Sequence, residues 1–202
     1  NSIVSIVCNS TLQTYGGDLY IAIMTIINSI REVITLPGHG LANASQPVLG
    51  YNYGAKEYRR VLEGIKFVTV AAFSTSFVLW LSVTLFPTLY IRIFSSNPEV
   101  MQDGVAALRL YFFGFFMMAF QMTGQSIAVG LGKSKQAIFF SIFRKVVIVA
   151  PLTVILPIYM GIDGVFVAEA ISNFIGGGAC YITMLLTIGK ELKQRAKAVK
   201  EV

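Results

Sequence analysis

Six long apolar runs, separated by short polar connections, constrain the fold of this chain more than any other feature. They lie near Ile3–Thr14 and at Leu19–Leu49, Val68–Phe86, Leu110–Leu131, Val146–Met160 and Val165–Ile188. A transmembrane helix needs about 20 apolar residues, and lipid admits only helices or closed barrels, because every backbone polar group needs an internal partner. No run alternates with a period of two, so each is predicted to be helical. The sequence predicts an all-α integral membrane protein: a bundle of six transmembrane helices at residues 1–189, followed by a basic tail at residues 190–202.

Two of the runs have unusual lengths. The first is too short to cross a bilayer and ends at a Tyr15-Gly16-Gly17-Asp18 turn, and neither an initiator Met nor a basic leader precedes it. We therefore expect the chain to begin partway along a helix and to be a piece of a longer protein. The second is too long for one straight crossing. Because proline removes a backbone donor and glycine permits bending, a break and a hinge are predicted at Pro37, Gly38 and Gly40, capped by His39.

Basic residues are confined to alternate connections. Lys56, Arg59 and Arg60 follow the second run, Lys133 and Lys135 the fourth, and Lys190, Lys193, Arg195, Lys197 and Lys200 the sixth. The other connections carry Asp18, then Arg92 with Glu99 and Asp103, then Asp163. Since positive residues collect in cytoplasmic loops, we expect a multi-pass protein of the plasma (inner) membrane with both chain ends cytoplasmic. Basic residues on three separate loops argue against a nucleic-acid partner. The tail is expected to be a frayed, solvated helix end, with a lipid-headgroup contact as the alternative.

The segment Gln46-Pro47-Val48-Leu49-Gly50-Tyr51-Asn52-Tyr53-Gly54-Ala55-Lys56 resembles a signature at the end of the eighth helix of multidrug and toxic compound extrusion (MATE) transporters. Further resemblances are Gly16-Gly17-Asp18, Gly124-Gln125, Gly130-Leu131-Gly132-Lys133, Arg144 and Gly161-Ile162-Asp163-Gly164-Val165. The resemblance implies helices seven to twelve, one lobe of a twelve-helix protein whose two lobes rock about a central cavity. It also implies a missing N-terminal six-helix lobe as partner.

Polar residues within the apolar runs are the candidate substrate- or ion-binding residues, because burying them in a membrane is costly. Arg31 and Glu32 lie about 18 Å into the second run at 1.5 Å per residue, near the midplane. Neighbours in sequence point to different faces of a helix, so a simple mutual pair is not expected. Asn28 shares a face with Glu32. Glu32 is either a proton or cation site tuned by Arg31, or both residues are structural, satisfied between packed helices.

The sixth run carries Glu169, with Ser172 and Asn173 on the same face, followed by glycines at 176–178 that let a neighbouring helix approach. Many MATE relatives have proline and aspartate near this stretch, so an ion site does not carry over directly. Glu169 is either a transport residue or a side chain that snorkels to the headgroups.

In the fourth run, Gly114, Met118, Gln121 and Gln125 form one stripe. The stripe suits a loosely specified amphipathic ligand or a helix–helix seam held by amide hydrogen bonds. Some MATE branches place an essential aspartate in this helix, and this chain has none. The coupling acid is therefore expected to be Glu32, Glu169 or a residue of the missing lobe.

Other chemistry has little support in the sequence. His39 is the single histidine, and Cys8 and Cys180 stand in apolar runs without metal-ligand spacing. Gly130-Leu131-Gly132-Lys133 lacks the strand of a nucleotide site, so neither an enzyme, a cofactor nor ATP-driven transport is expected. The expected function is export of cationic or amphipathic drugs and toxic compounds, coupled to Na⁺ or H⁺ entry by alternating access. The alternatives are a flippase for lipid-linked or polysaccharide precursors and a non-transporting membrane scaffold.

Overall fold

The computed structural model describes residues 2–198, with the side chains of residue 6 and of residues 8–198, and the described chain is helical throughout its regular structure. In chain order the helices are α1 (Ser2–Gly54), α2 (Tyr58–Leu85), α3 (Pro87–Phe94), α4 (Pro98–Phe112), α5 (Met118–Gly130), α6 (Ser134–Ile142), α7 (Ala150–Met160), α8 (Asp163–Met184) and α9 (Lys190–Ala198). A 3₁₀ turn (Phe115–Met117) joins α4 to α5, and π-helical segments (Phe143–Val149 and Leu185–Gly189) join α6 to α7 and α8 to α9.

Five helical stretches within the described residues are long and apolar enough to cross a membrane. They are Cys8–Gly54, Tyr58–Leu85, Pro98–Gly130, Ser134–Met160 and Asp163–Ala198. The helical part that precedes Gly17 is shorter than a crossing, as its apolar length predicted. The all-α membrane fold predicted from the sequence is therefore confirmed.

Within the described residues, α1 departs from helical backbone angles at Gly17 and not at the predicted proline. Gly17 has φ 67° and ψ −164°, which confirms the predicted glycine turn, because a side chain is strained at this φ. The break predicted at Pro37, Gly38 and Gly40 is wrong, because α1 remains helical across these residues; the hinge predicted at the same residues stays a prediction. Proline deletes one helical hydrogen bond, but this face is held by its neighbours, with Gly38 buried beside Met122. His39 is exposed on the continuous helix and caps no break.

The fourth run was predicted to be one helix and is not. The chain leaves the α-helical conformation at Gly114, where φ is 72° and ψ is 13°, and resumes after the 3₁₀ turn. A Cβ at Gly114 would lie 2.0 Å from the ring of Phe174, so the position has no room for a side chain. The helices also begin earlier than the apolar runs do, because their first turns carry polar residues: α4 begins at Pro98 and α6 at Ser134.

Two apolar clusters fill the ends of the bundle. One contains Ile23, Leu108, Phe112 and Phe166, and the other contains Leu49, Val61, Ile127 and Ile188. Between them lies a layer with buried polar side chains, which include Gln121, Arg144, Ser172 and Asn173. The layer lies in the middle of the long helices, at the depth where intramembrane chemistry was predicted.

The basic connections meet at one end of the bundle. Glu191 of α9 forms ion pairs with Lys133 and with Arg195, and it accepts a hydrogen bond from the Tyr53 hydroxyl at 3.4 Å. The grouping of these connections on one side, predicted from their alternation, agrees with this contact. The frayed tail is wrong over residues 190–198, since α9 is a packed helix with Leu192 only 1% exposed. The rest of the predicted tail, residues 199–202, lies outside the described residues.

Candidate functional site

The polar layer opens into a cavity of about 370 Å³. Its walls come from α1, α4, α8 and the segment that runs from the π-helical turn into α7. The lining residues are Cys8, Asn9, Met24, Asn28, Arg31, Glu32, Tyr111, Arg144, Lys145, Val149, Thr153, Val165 and Glu169. This volume is within the range of small-molecule sites, and five of the lining side chains are acidic or basic.

Four of the seven predicted binding residues line this cavity. Asn28, Arg31 and Glu32 reach it from α1, and Glu169 reaches it from α8. The structure thus brings together two regions that are more than a hundred residues apart in sequence. Their part in binding or transport stays a prediction.

Arg144 is the best-connected side chain of the site. It is 4% exposed and ion-pairs with Glu169 at 2.8 Å between Nη2 and Oε1. Its Nη1 donates to Gln121 Oε1 at 2.8 Å, Nη2 also donates to Asn173 Oδ1 at 2.6 Å, and Nε donates to Ser172 Oγ at 3.3 Å. Four of the five guanidinium N–H groups therefore have partners. Two more predicted residues, Gln121 and Asn173, belong to the site through this arginine.

The local sequence explains how Arg144 fits. It stands in the π-helical segment just before Pro151, whose missing N–H and ring disfavour regular α-helix over the preceding turn. On the facing helix, Gly176 leaves space for the arginine stem, because a Cβ there would lie 2.9 Å from Arg144 Cγ and Cδ. Of the three glycines predicted to permit close helix approach, Gly177 does so, since a Cβ there would lie 2.4 Å from the backbone oxygen of Met117, and Gly176 makes room for the buried arginine.

Glu169 does not snorkel to the headgroups. It points inward to Arg144, and its side chain is 17% exposed. Its helix begins at Asp163, which places it about 9 Å inside the helix end.

Arg31 and Glu32 are differently placed. Within the described residues neither belongs to an ion pair, which agrees with the prediction that they are not mutual partners. Arg31 is half-buried, and its Nε is buried without a hydrogen-bond partner among the described residues. Glu32 is exposed to the open cavity.

Gln125 is the one predicted binding residue that lies apart. It borders a separate, nearly filled hollow with Gly124, Ala128 and Cys180. Its Nε2 is buried and has no partner among the described residues. The stripe of the fourth run is therefore divided: Gly114 precedes a turn, Gln121 holds Arg144 as the seam interpretation proposed, and Gln125 lies outside the cavity.

Sequence reasoning missed two basic residues of the site. Because the fifth apolar run begins at Val146, hydropathy alone places Arg144 and Lys145 at the inner membrane edge. The helix begins at Ser134, about ten residues earlier, which moves both side chains about 15 Å inward. The available signal was the largely apolar stretch at residues 137–143, which directly precedes them and extends the helix toward Ser134. No group of three or more metal-ligating residues occurs in the described part of the chain.

Comparisons with known proteins agree on the fold. The sequence model of the MatE family matches residues 1–155. No curated protein matches the chain. Among solved structures, the outward-facing conformation of a multidrug resistance MATE family transporter of the MOP superfamily is 24% identical, with a TM-score of 0.88 over 95% of this chain and 43% of that one.

Two further structures match as well. The inward-facing conformation of such a transporter is 23% identical, with a TM-score of 0.88 over 96% of this chain and 45% of that one. A MOP superfamily transporter from Pyrococcus furiosus Vc1, described by the reverse polarity of its binding pocket, is 23% identical, with a TM-score of 0.88 over 95% and 43%. The chain thus spans less than half the length of the solved transporters it resembles.

Proposed function

The chain belongs to the MatE family, whose members are membrane transporters and not enzymes, and we propose that it forms one lobe of a secondary active antiporter. The antiporter exports amphipathic drugs and toxic compounds, cationic ones among them, in exchange for entering Na⁺ or H⁺. Multidrug efflux is the general role of the family. The protein resides in the plasma (inner) membrane with its basic connections in the cytoplasm.

The charged cavity at mid-bundle is the observation that carries this proposal. Ionisable residues inside membrane segments are costly and mark substrate or ion pathways, and here five of them surround one small-molecule-sized space. A membrane scaffold has no use for such a cavity. One entering monovalent cation contributes about 2.3 kcal/mol per 100 mV of membrane potential, enough to concentrate a substrate without ATP.

Alternating access is supported by the two matched conformations. The inward-facing and outward-facing transporters match this chain with the same TM-score of 0.88. A lobe that keeps its shape in both states moves as a rigid body against a second lobe. We therefore propose an N-terminal six-helix lobe as the partner that completes the transport path.

Glu32 is the better candidate for the coupling acid within this lobe. Glu169 is held by Arg144 at 2.8 Å, whereas Glu32 faces the cavity outside every ion pair among the described residues. A carboxylate without a fixed counter-charge can exchange a proton or Na⁺ during each cycle.

The test is ion-driven export by the full-length protein, with both lobes, reconstituted in liposomes with an amphipathic dye as substrate. Glu32→Gln is expected to abolish dye movement driven by an Na⁺ or H⁺ gradient while leaving dye binding intact. Glu63→Gln, on an exposed α2 position, is the matched control and should transport normally. Normal gradient-driven export by Glu32→Gln would remove Glu32 from the coupling step, and absence of export by the unmodified protein under either gradient would refute the antiporter.

A flippase for lipid-linked or polysaccharide precursors is the second candidate. The structure favours it more than the sequence did, because Arg31, Arg144 and Lys145 line the same cavity. The volume of about 370 Å³ fits a headgroup but not a polysaccharide.

A further inference from the structure

The charges around the cavity do not balance, and this bears on the class of substrate. Three lining residues are basic (Arg31, Arg144 and Lys145) and two are acidic (Glu32 and Glu169). The side chains around the cavity differ in their ion pairing. Arg144 and Glu169 neutralise each other in a buried, hydrogen-bonded pair, whereas Arg31 belongs to no ion pair among the described residues.

Arg31 has an unused, desolvated donor. Its Nε is shielded from solvent and has no hydrogen-bond partner among the described residues. An unpaired donor on a charged group carries a desolvation penalty, which a bound acceptor with negative charge would remove. A guanidinium presents its donors in a planar fork that matches the oxygens of carboxylate and phosphate.

The remaining surroundings favour the same ligand. Lys145 lines the same cavity and adds a second basic side chain to its wall. Asn28, on the same helix face as Arg31, and Tyr111 across the cavity also line it, and each carries a neutral donor. The apolar wall includes Met24, Val149 and Val165, suited to the hydrocarbon part of a small amphipath.

We propose that this cavity binds the anionic group, a carboxylate or a phosphate, of an amphipathic ligand, with Arg31 as its main ligand and Lys145 as a second positive charge. The inference rests on the proposed transport function and narrows it. Among the amphipathic compounds of the proposed function, anionic and zwitterionic ones bind to this lobe more tightly than simple cations do. In a zwitterion, the positive group faces Glu32.

Three water-soluble probes of similar size test the sign of the site: phenyl phosphate, benzoate and benzylammonium. Their affinities are measured by titration calorimetry on the protein in phosphatidylcholine nanodiscs, with empty nanodiscs subtracted and no ion gradient present. The two anions are expected to bind at least about tenfold more tightly than benzylammonium, the scale of one charge-assisted hydrogen bond. Tighter binding of benzylammonium would overturn the proposal.

Substitutions identify the residue responsible. Arg31→Gln is expected to weaken both anions by about tenfold or more, Arg31→Lys to retain part of the affinity, and Lys145→Gln to weaken them severalfold. Arg92→Gln, an exposed arginine at the end of α3, is the matched control and should bind as the unmodified protein does. Unchanged anion affinity in Arg31→Gln, or in Lys145→Gln if the former does not fold, contradicts the assignment. Circular dichroism and gel filtration establish folding for each variant.

The lipid in the nanodisc separates the two sources of such a group. If the natural ligand is a soluble compound, nanodiscs that contain phosphatidylglycerol should bind phenyl phosphate as tightly as phosphatidylcholine nanodiscs do, and this is the result we expect. A loss that depends on Arg31 would instead mean that a lipid headgroup occupies the anion site, which is the same chemistry. The proposed anion site and the proposed antiporter can also be refuted independently of each other. Anion binding without ion-driven export retains the site, whereas export that is indifferent to Arg31→Gln retains the transporter and removes the site.

Discussion

Two arginines line the same cavity, and their surroundings are opposite. Arg144 is 4% exposed and uses four of its five N–H groups on Glu169, Gln121, Asn173 and Ser172. Arg31 belongs to no ion pair among the described residues, and its buried Nε has no partner there. Both are intramembrane cations, yet the protein satisfies one and leaves the other unsatisfied.

The difference separates a structural charge from a functional one. A fully satisfied buried network rigidifies the helices that contribute to it, here α5, the π-helical segment and α8. A guanidinium with an unpaired buried donor destabilises the protein when no ligand is bound, and a ligand that accepts its hydrogen bond offsets this cost. We therefore expect Arg144 to govern the stability of the lobe and Arg31 to govern what the lobe binds.

The largest effect is expected from removing Arg144. Arg144→Met leaves Glu169 buried without its counter-charge and should lower the free energy of unfolding by about 3–5 kcal/mol. Arg31→Met should change it by less than about 1 kcal/mol, since it breaks no bond between described residues. The measurement is thermal unfolding in detergent, followed by circular dichroism. The double variant Arg144→Met/Glu169→Met should recover most of the loss, because no uncompensated charge remains. Equal losses for the two single arginine variants would refute the distinction.

A smaller effect is expected where Arg144 packs. Gly176→Ala places a Cβ 2.9 Å from Arg144 Cγ and Cδ, so the stem must shift and its hydrogen bonds lengthen, at about 1–3 kcal/mol. Gly178→Ala is the matched control on the same helix, since a Cβ there meets nothing within 4 Å. The control should be neutral or stabilising by about 0.5–1 kcal/mol through helix propensity. If both alanines behave alike in the same unfolding assay, Gly176 has no role in accommodating the arginine.

The sequence predicted the features that depend on hydrophobicity and charge. Apolar runs located the five long helices, and alternating basic connections predicted the end at which Lys133 and Glu191 meet. Helical spacing also placed Glu169, Ser172 and Asn173 on one face, where the structure has all three contacting Arg144. These predictions depend on the positions of residues along a single segment of the chain, and those positions are the same before and after folding.

The rest depended on contacts between distant segments. Hydropathy placed the start of the fifth run after Arg144, so the helix that carries this residue inward was not recognised. Proline at position 37 predicted a break that packing overrides. The ring that leaves no room for a side chain at the Gly114 turn belongs to Phe174, sixty residues away. The sequence alone also could not predict which charged side chains pair with each other, and therefore could not predict the net charge around the cavity.

The smallest predicted effect tests whether Arg144 stabilises the lobe through the number of its hydrogen-bond partners or through its burial. Glu191 also has several partners, since it pairs with Lys133 and Arg195 and accepts a hydrogen bond from the Tyr53 hydroxyl, but its side chain is 31% exposed. Ion pairs in contact with water are screened and contribute about 0–1 kcal/mol. Glu191→Gln should therefore lower the free energy of unfolding by less than about 1 kcal/mol and lose that effect in high salt. Glu63→Gln, which disrupts an ion pair with a 65% exposed glutamate, sets the baseline. A loss at Glu191 as large as that of Arg144→Met would mean that the number of partners, and not removal from water, fixes the energy of these charged groups. The contrast between the two cavity arginines would then have to be explained by partner count alone.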